Sequence, residues 1–200
     1  MTCIVGLKHN GRVYLGGDSC ITYGWDEKRV LAVPKVVRWN DFLLGSCGDH
    51  RMSQLVEYDL KIERQLAGQN DLHYLVTVFA SGMRKLLKEQ GYSEIENNKE
   101  SASGQYLVGY RGELYRIGPD FSAVNHADTF DAIGVGAAYA LGALATLENS
   151  DLSPKKKIKL ALRAATRFSN GVDDRYTIIS EKAKKQSKVQ KNDKNQPERG

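Results

Sequence analysis

Two apolar, β-rich runs fall within the first eighteen residues, and later stretches switch to apolar positions spaced by three to four. Cys3–Lys8 and Arg12–Asp18 read as two strands joined across His9-Asn10-Gly11, where Asn-Gly favours a tight hairpin turn. After a polar loop at Tyr23–Arg29, Val30–Arg38 and Phe42–Leu44 predict a second strand pair running into Gly45-Ser46-Cys47-Gly48-Asp49. Asp49 is placed to cap a helix over Arg51–Ala67, with Met52, Leu55, Val56 and Leu60 at helical spacing and Gly68 closing it. A second helix is expected over Leu72–Glu89, with Leu75, Val76, Phe79, Met83, Leu86 and Leu87 on one side. Ser93–Ser103 is polar and reads as an exposed loop.

Gln105–Tyr110 and Glu113–Ile117 predict another hairpin across Arg111-Gly112. Asp131–Gly136 leads into a small-residue helix over Ala137–Leu147, suited to close packing on a sheet. Pro154 opens a helix reaching about Ser169, Gly171 ends it, and Arg175–Ser180 is a last strand. The order is ββββ-αα-ββ-β-αα-β. Strands and helices both come in clusters, which argues against a doubly wound βαβ fold. The expectation is an α+β fold, a four-layer αββα sandwich with two antiparallel sheets between helical layers.

Composition then sets limits. The 200 residues suit one domain over 1–180, followed by a tail at 181–200. The net charge of +5 belongs mostly to that tail, which carries seven basic and three acidic residues, against 22 and 21 in the remainder. With Ala183 and Val189 almost its only apolar residues, the tail cannot bury enough surface to offset ordering, and disorder is expected there. A solubilising role fits it better than nucleic-acid binding, since no aromatic residues interleave its lysines. No apolar run approaches the ~18 residues of a membrane span, so no membrane partner is expected. Cys3, Cys20 and Cys47 are odd in number and widely spaced, which suggests reduced thiols in a cytoplasmic protein rather than disulfides or a zinc site.

Chemistry concentrates at the start. Removal of Met1 would leave Thr2 with a hydroxyl and a free α-amine of pKa about 8, a nucleophile and its own general base on one residue. An ordinary first-strand threonine is the plain alternative. The hairpin returns Asp18 to the side of Thr2, after two glycines that allow close backbone approach. Lys35 is unusual among Val33, Val36 and Val37; it is either buried beside a partner or on the solvated face of an edge strand. His9, His50, His73 and His126 show no ligand spacing, and Gly134-Val135-Gly136 lacks the third glycine of a dinucleotide fingerprint, so no metal or cofactor is expected. Cys3 points to the opposite face from Thr2 and belongs to the core.

Several of these features coincide in order. They are Thr2–Gly6, Gly11–Asp18, Lys35-Val36-Val37, Gly45-x-x-Gly48-Asp49, Leu107-Val108-Gly109, and Ile133-Gly134-x-Gly136 followed by Tyr139-Ala140-Leu141-Gly142. Together they resemble the proteasome β-subunit and its bacterial relatives, among the N-terminal nucleophile hydrolases, from Thr2 to about Ile179. The resemblance implies a threonine-type peptidase or amidohydrolase working on peptide or protein substrate without a cofactor. Thr2 would be the nucleophile, Lys35 would lower its effective pKa, and Asp18 would hold Lys35. The Gly45 amide would donate to the oxyanion. Relatives assemble into rings, so a homo-oligomeric ring is expected, with an ATP-dependent unfoldase as a candidate partner.

The chain departs from its relatives at two places. Val135 replaces the serine of a Gly-Ser-Gly element, and Arg167-Phe168-Ser169-Asn170-Gly171 stands where Asp-x-x-Ser-Gly is usual. Both replaced groups help hold the threonine amine, and Ser169 and Asn170 are the candidate substitutes. A catalytically weak structural ring and a small-amide hydrolase are therefore rival readings. Cys20, Ile21 and Cys47 fall where relatives carry specificity-determining side chains.

Overall fold

The computed structural model describes residues 1–24 and 27–182. Most of the tail predicted to be disordered therefore lies outside the described residues, as do Trp25 and Asp26 of the predicted polar loop. Strands β1 (Ile4–His9) and β2 (Arg12–Asp18) form the expected hairpin, turning through Asn10 and Gly11, both at positive φ. Two further strands, β12 (Phe130–Ile133) and β13 (Tyr176–Ser180), flank them in a four-stranded antiparallel sheet ordered β12-β1-β2-β13. Strands β5 (Val36–Trp39), β6 (Phe42–Cys47), β9 (Gln105–Tyr110), β10 (Glu113–Ile117) and β11 (Ala123–Val124) make the second, ordered β11-β10-β9-β6-β5.

Three apolar clusters organise these elements. Ile4, Leu15 and Ile133 of the first sheet meet Val36, Leu43, Leu107 and Leu114 of the second. Cys3, Val5 and Leu7 pack the other face of β1 against α4 (Ala137–Leu147) and α5 (Pro154–Phe168), through Ala140, Leu144, Ile158 and Leu162. Phe42, Leu44, Tyr106 and Tyr110 pack the second sheet against α1 (His50–Asp59) and a helical stretch of α2 (Asp71–Tyr74), a π-helical segment (Leu75–Ala80) and α3 (Ser81–Glu89). The α/β architecture with antiparallel sheets is as the pattern predicts. Cys3 is fully buried, on the face assigned to it.

Four local expectations are corrected. The Tyr23–Arg29 region is largely a small hairpin, β3 (Cys20–Tyr23) with β4 (Glu27–Val30), rather than a loop. The strand expected over Val30–Arg38 is interrupted, and Lys35 sits just before β5. Ser93–Ser103 contains a second small hairpin, β7 (Ser93–Glu96) with β8 (Lys99–Ala102). The first helix ends at Asp59 instead of Ala67. Beyond it the chain is not helical, held by Tyr74 Oη donating to the Glu63 carbonyl at 2.7 Å and Tyr110 Oη donating to Gln65 Oε1 at 2.7 Å.

Candidate active site

The β1–β2 register pairs Ile4 with Gly17, so the next residues outward, Cys3 and Asp18, come together at the end of the hairpin. The Asp18 amide donates to the Cys3 carbonyl at 3.3 Å, and the Cys3 amide donates to Asp18 Oδ1 at 2.8 Å. Asp18 Oδ2 accepts the Cys20 amide at 2.8 Å and the Asp173 amide at 3.4 Å. The carboxylate has no exposed side-chain surface, so its charge is held by these dipoles and by one ammonium. That ammonium is Lys35 Nζ, 3.2 Å from each Asp18 oxygen.

Gly17 makes the approach of Lys35 feasible. A Cβ there would lie 2.8 Å from Ile4 Cδ1 and 3.1 Å from Val36 Cγ1, displacing the segment that carries the lysine. Of the two placements open for Lys35, the structure has the buried one, with 9% of its side chain exposed. Lys35 Nζ also donates to Thr2 Oγ1 at 2.9 Å and to the Met1 carbonyl at 3.0 Å. The Thr2 hydroxyl donates in turn to the Met1 carbonyl. Thr2, Lys35 and Asp18 are thus one hydrogen-bonded chain. With Met1 in place, the nitrogen of Thr2 is an amide, and the hydroxyl proton is directed backwards along the chain.

The backbone of Thr2 is clamped from the far side. Gly134 adopts φ +93°, and a Cβ on it would lie 2.3 Å from the Thr2 carbonyl oxygen, so only glycine fits this close crossing. The Gly136 amide donates to the same carbonyl at 3.3 Å. Val135 between them is half-exposed. Neither Ser169 nor Asn170 bonds through its side chain to Thr2 or to any other described residue, and Asn170 is exposed. Arg167 lies over the Phe168 ring instead. The N-terminus approaches that stretch at Gly171, where a Cβ would lie 2.3 Å from Met1 Cβ.

Gly45 needs a correction. The Ser46 amide points to the Lys35 carbonyl, at 3.4 Å. Amides of successive strand residues point to opposite neighbours, so the Gly45 amide is directed at Leu107 of β9 and away from Thr2. On the Thr2 side stands Gly48, at φ +116°, whose amide bonds to no described residue.

Thr2, Lys35, Ser46, Cys47 and Gly48 border a cavity of about 150 Å³, walled opposite by one face of α1. Burial raises all three thiols, Cys3 to about 12, with the Asp18 charge adding to the effect on Cys3 and Cys20. None is a ready thiolate to compete with the threonine hydroxyl. Sequence reasoning missed Asp173, whose amide completes the Asp18 cradle and whose carboxylate faces Lys28 Nζ at 3.8 Å. The paired Asp173-Asp174 ahead of the last strand was its only signal.

Among known proteins, no family model and no curated protein matches the chain. Solved structures do. BPH from Thiobacillus denitrificans, in complex with epoxomicin, superposes at TM-score 0.78 and 17% identity, covering 92% of this chain and 100% of that one. The chain has a proteasome-like fold. The same fold relates it to HslV from Trypanosoma brucei, at TM-score 0.64 and 19% identity over 90% of this chain and 98% of that one. Anbu, the ancestral beta-subunit from Yersinia bercovieri, matches at 0.65 and 13%, over 90% and 81%. At such identities the likeness establishes the proteasome-like fold, while the case for chemistry rests on the Thr2–Lys35–Asp18 geometry. Among the described residues, no helix is long and apolar enough to cross a membrane.

Proposed function

We propose that the chain is a threonine-type hydrolase of peptide or amide bonds, active once Met1 is removed. The observation that carries this reading is Lys35 Nζ at 2.9 Å from Thr2 Oγ1, with the buried Asp18 carboxylate behind it. Loss of Met1 frees the α-amine and removes the carbonyl to which the hydroxyl and Lys35 now donate. The hydroxyl attacks the substrate carbonyl, and the α-amine accepts its proton as general base. Lys35 favours the developing alkoxide by its charge, and Asp18, its counter-ion, keeps it aimed.

The tetrahedral oxyanion takes a hydrogen bond from the Gly48 amide, the free donor bordering the cavity; such donors contribute roughly 2.7–4 kcal/mol. Collapse breaks the scissile bond, and the amine of the departing fragment takes the proton from the α-ammonium. The ester on Thr2 is then hydrolysed by water along the reverse proton path. Val135, Ser169 and Asn170 leave the amine with few side-chain partners, which supports a slow or selective enzyme.

The three apolar clusters support the reading of the fold as a four-layer αββα sandwich, and the proteasome-like fold supports assembly of copies into a ring. Substrate delivery by an ATP-dependent unfoldase belongs to the same reading, as does a cytoplasmic location, supported by three free thiols. The decisive experiment is the intact mass of the purified protein after incubation with epoxomicin or another threonine-directed electrophile. One adduct on a chain lacking Met1, absent from Thr2→Ala, is expected. A chain that starts at Thr2 and takes up no label would leave the structural-ring reading in its place.

A further inference from the structure

The wall of α1 that faces Thr2 carries a carboxylate, Glu57. Among the described residues it is the only carboxylate bordering the cavity, and its side chain bonds to none of them. It is half-buried, one turn beyond Gln54 on the cavity face and roughly 10 Å along the helix from His50. Had the helix continued to Ala67, Lys61 would sit four residues on and pair with Glu57. The helix stops at Asp59, so Lys61 leaves that face and the carboxylate stays open to the cavity. The cation at the other end, Lys35, is already engaged by Asp18 and Thr2. Val37, Leu44, Val56 and Tyr106 also line the cavity and give it an apolar share.

An apolar corridor ending in an unpaired carboxylate complements a side chain with a methylene stem and a cationic head. We propose that Glu57 makes this cavity the pocket for a lysine or arginine on the substrate residue whose carbonyl Thr2 attacks. This rests on the hydrolase reading above. The pairing supplies selectivity as well as affinity, because an acidic residue entering the pocket would meet a like charge. An apolar residue would leave the carboxylate desolvated and unpaired.

The test separates the pocket from the chemistry by measuring binding to an inert protein. Fluorescent peptides ending in lysine or in norleucine, which keeps the stem and lacks the ammonium, are titrated into Thr2→Ala protein lacking Met1, followed by anisotropy. The lysine peptide should bind about tenfold more tightly or better, equivalent to ~1.4 kcal/mol. Glu57→Gln should reduce that ratio to about twofold or less, and Glu57→Lys should reverse it. Equal binding, a norleucine preference, no detectable lysine-peptide binding, or a ratio unchanged in Glu57→Gln overturns the proposal. Electrophile labelling of Thr2 is read separately on the unsubstituted protein. Labelling without lysine preference removes the pocket alone, and lysine preference without labelling removes the hydrolase reading alone.

Discussion

The amide of Cys3 donates to Asp18 at 2.8 Å, so the residue next to Thr2 is fastened to the same carboxylate that holds Lys35. One carboxylate therefore helps position both Thr2 and Lys35. Asp18→Asn keeps much of the shape but leaves Lys35 buried without its counter-ion. Breaking a buried pair costs about 3–5 kcal/mol. A fall in denaturation midpoint together with loss of Thr2 labelling is expected. Wild-type stability with unchanged labelling would show that Asp18 does not organise the site.

Gly134→Ala tests the clamp on Thr2. The substitution meets both a positive φ and a 2.3 Å clash with the Thr2 carbonyl. Strain of this kind costs about 1–3 kcal/mol, and slower electrophile labelling should accompany it because the threonine is pushed from Lys35. Labelling at the wild-type rate would disconnect the Gly134 crossing from the nucleophile.

The thiol of Cys3 gives a pH signature. Burial, with Asp18 beside it, pushes this pKa from 9.0 up to about 12. Above pH 9 the unfolded chain loses a proton that the folded chain keeps, so stability falls as pH rises towards 12. Urea unfolding of the native protein and of Cys3→Ala, followed between pH 8 and 10.5, should show the steeper decline in the native protein. Parallel curves would contradict the assignment. Iodoacetamide at pH 8 should leave Cys3 unmodified in the folded state.

Phe42 carries the core between the second sheet and its helices. It stacks on Tyr110 at 4.3 Å between centroids and touches Phe79 at 5.0 Å. Phe42→Ala should destabilise the protein by about 3–5 kcal/mol, read as a lower urea midpoint. A loss below 1 kcal/mol would mean that the ring cluster packs well without it.

Much of this arrangement was legible in the chain. Asn10-Gly11 fixes the first hairpin and thereby brings Asp18 to the N-terminus, and valines around Lys35 marked it as either buried or at an edge. What stayed hidden depends on contacts distant in sequence. Leu60–Ala67 has the composition of a helix, but Tyr74 and Tyr110 bond to Glu63 and Gln65, and a Cβ on Gly82 would lie 2.6 Å from Ile62 Cγ2. Tertiary packing overrides local propensity there. The β7–β8 turn at Asn97-Asn98, both at positive φ, carried a hairpin signal that the surrounding polar residues obscured. The direction of the Gly45 amide follows only from register with β5 and β9, which sequence spacing does not supply. Glu57 has no partner among the described residues, where a longer helix would have set Lys61 four residues on.

The Asp173 amide reaches Asp18 across 155 positions of sequence, beside a last strand that pairs Tyr176 with Asp18. Contacts of such span form late, after shorter loops have closed. The hairpin that brings Cys3 to Asp18 closes over 15 positions, whereas the Asp173 amide arrives across 155. A chain folded only as far as that hairpin has Thr2 beside Asp18 but lacks the Asp173 amide at the carboxylate. The cradle around the counter-ion of Lys35 is finished only when the first hairpin and the last strand are joined.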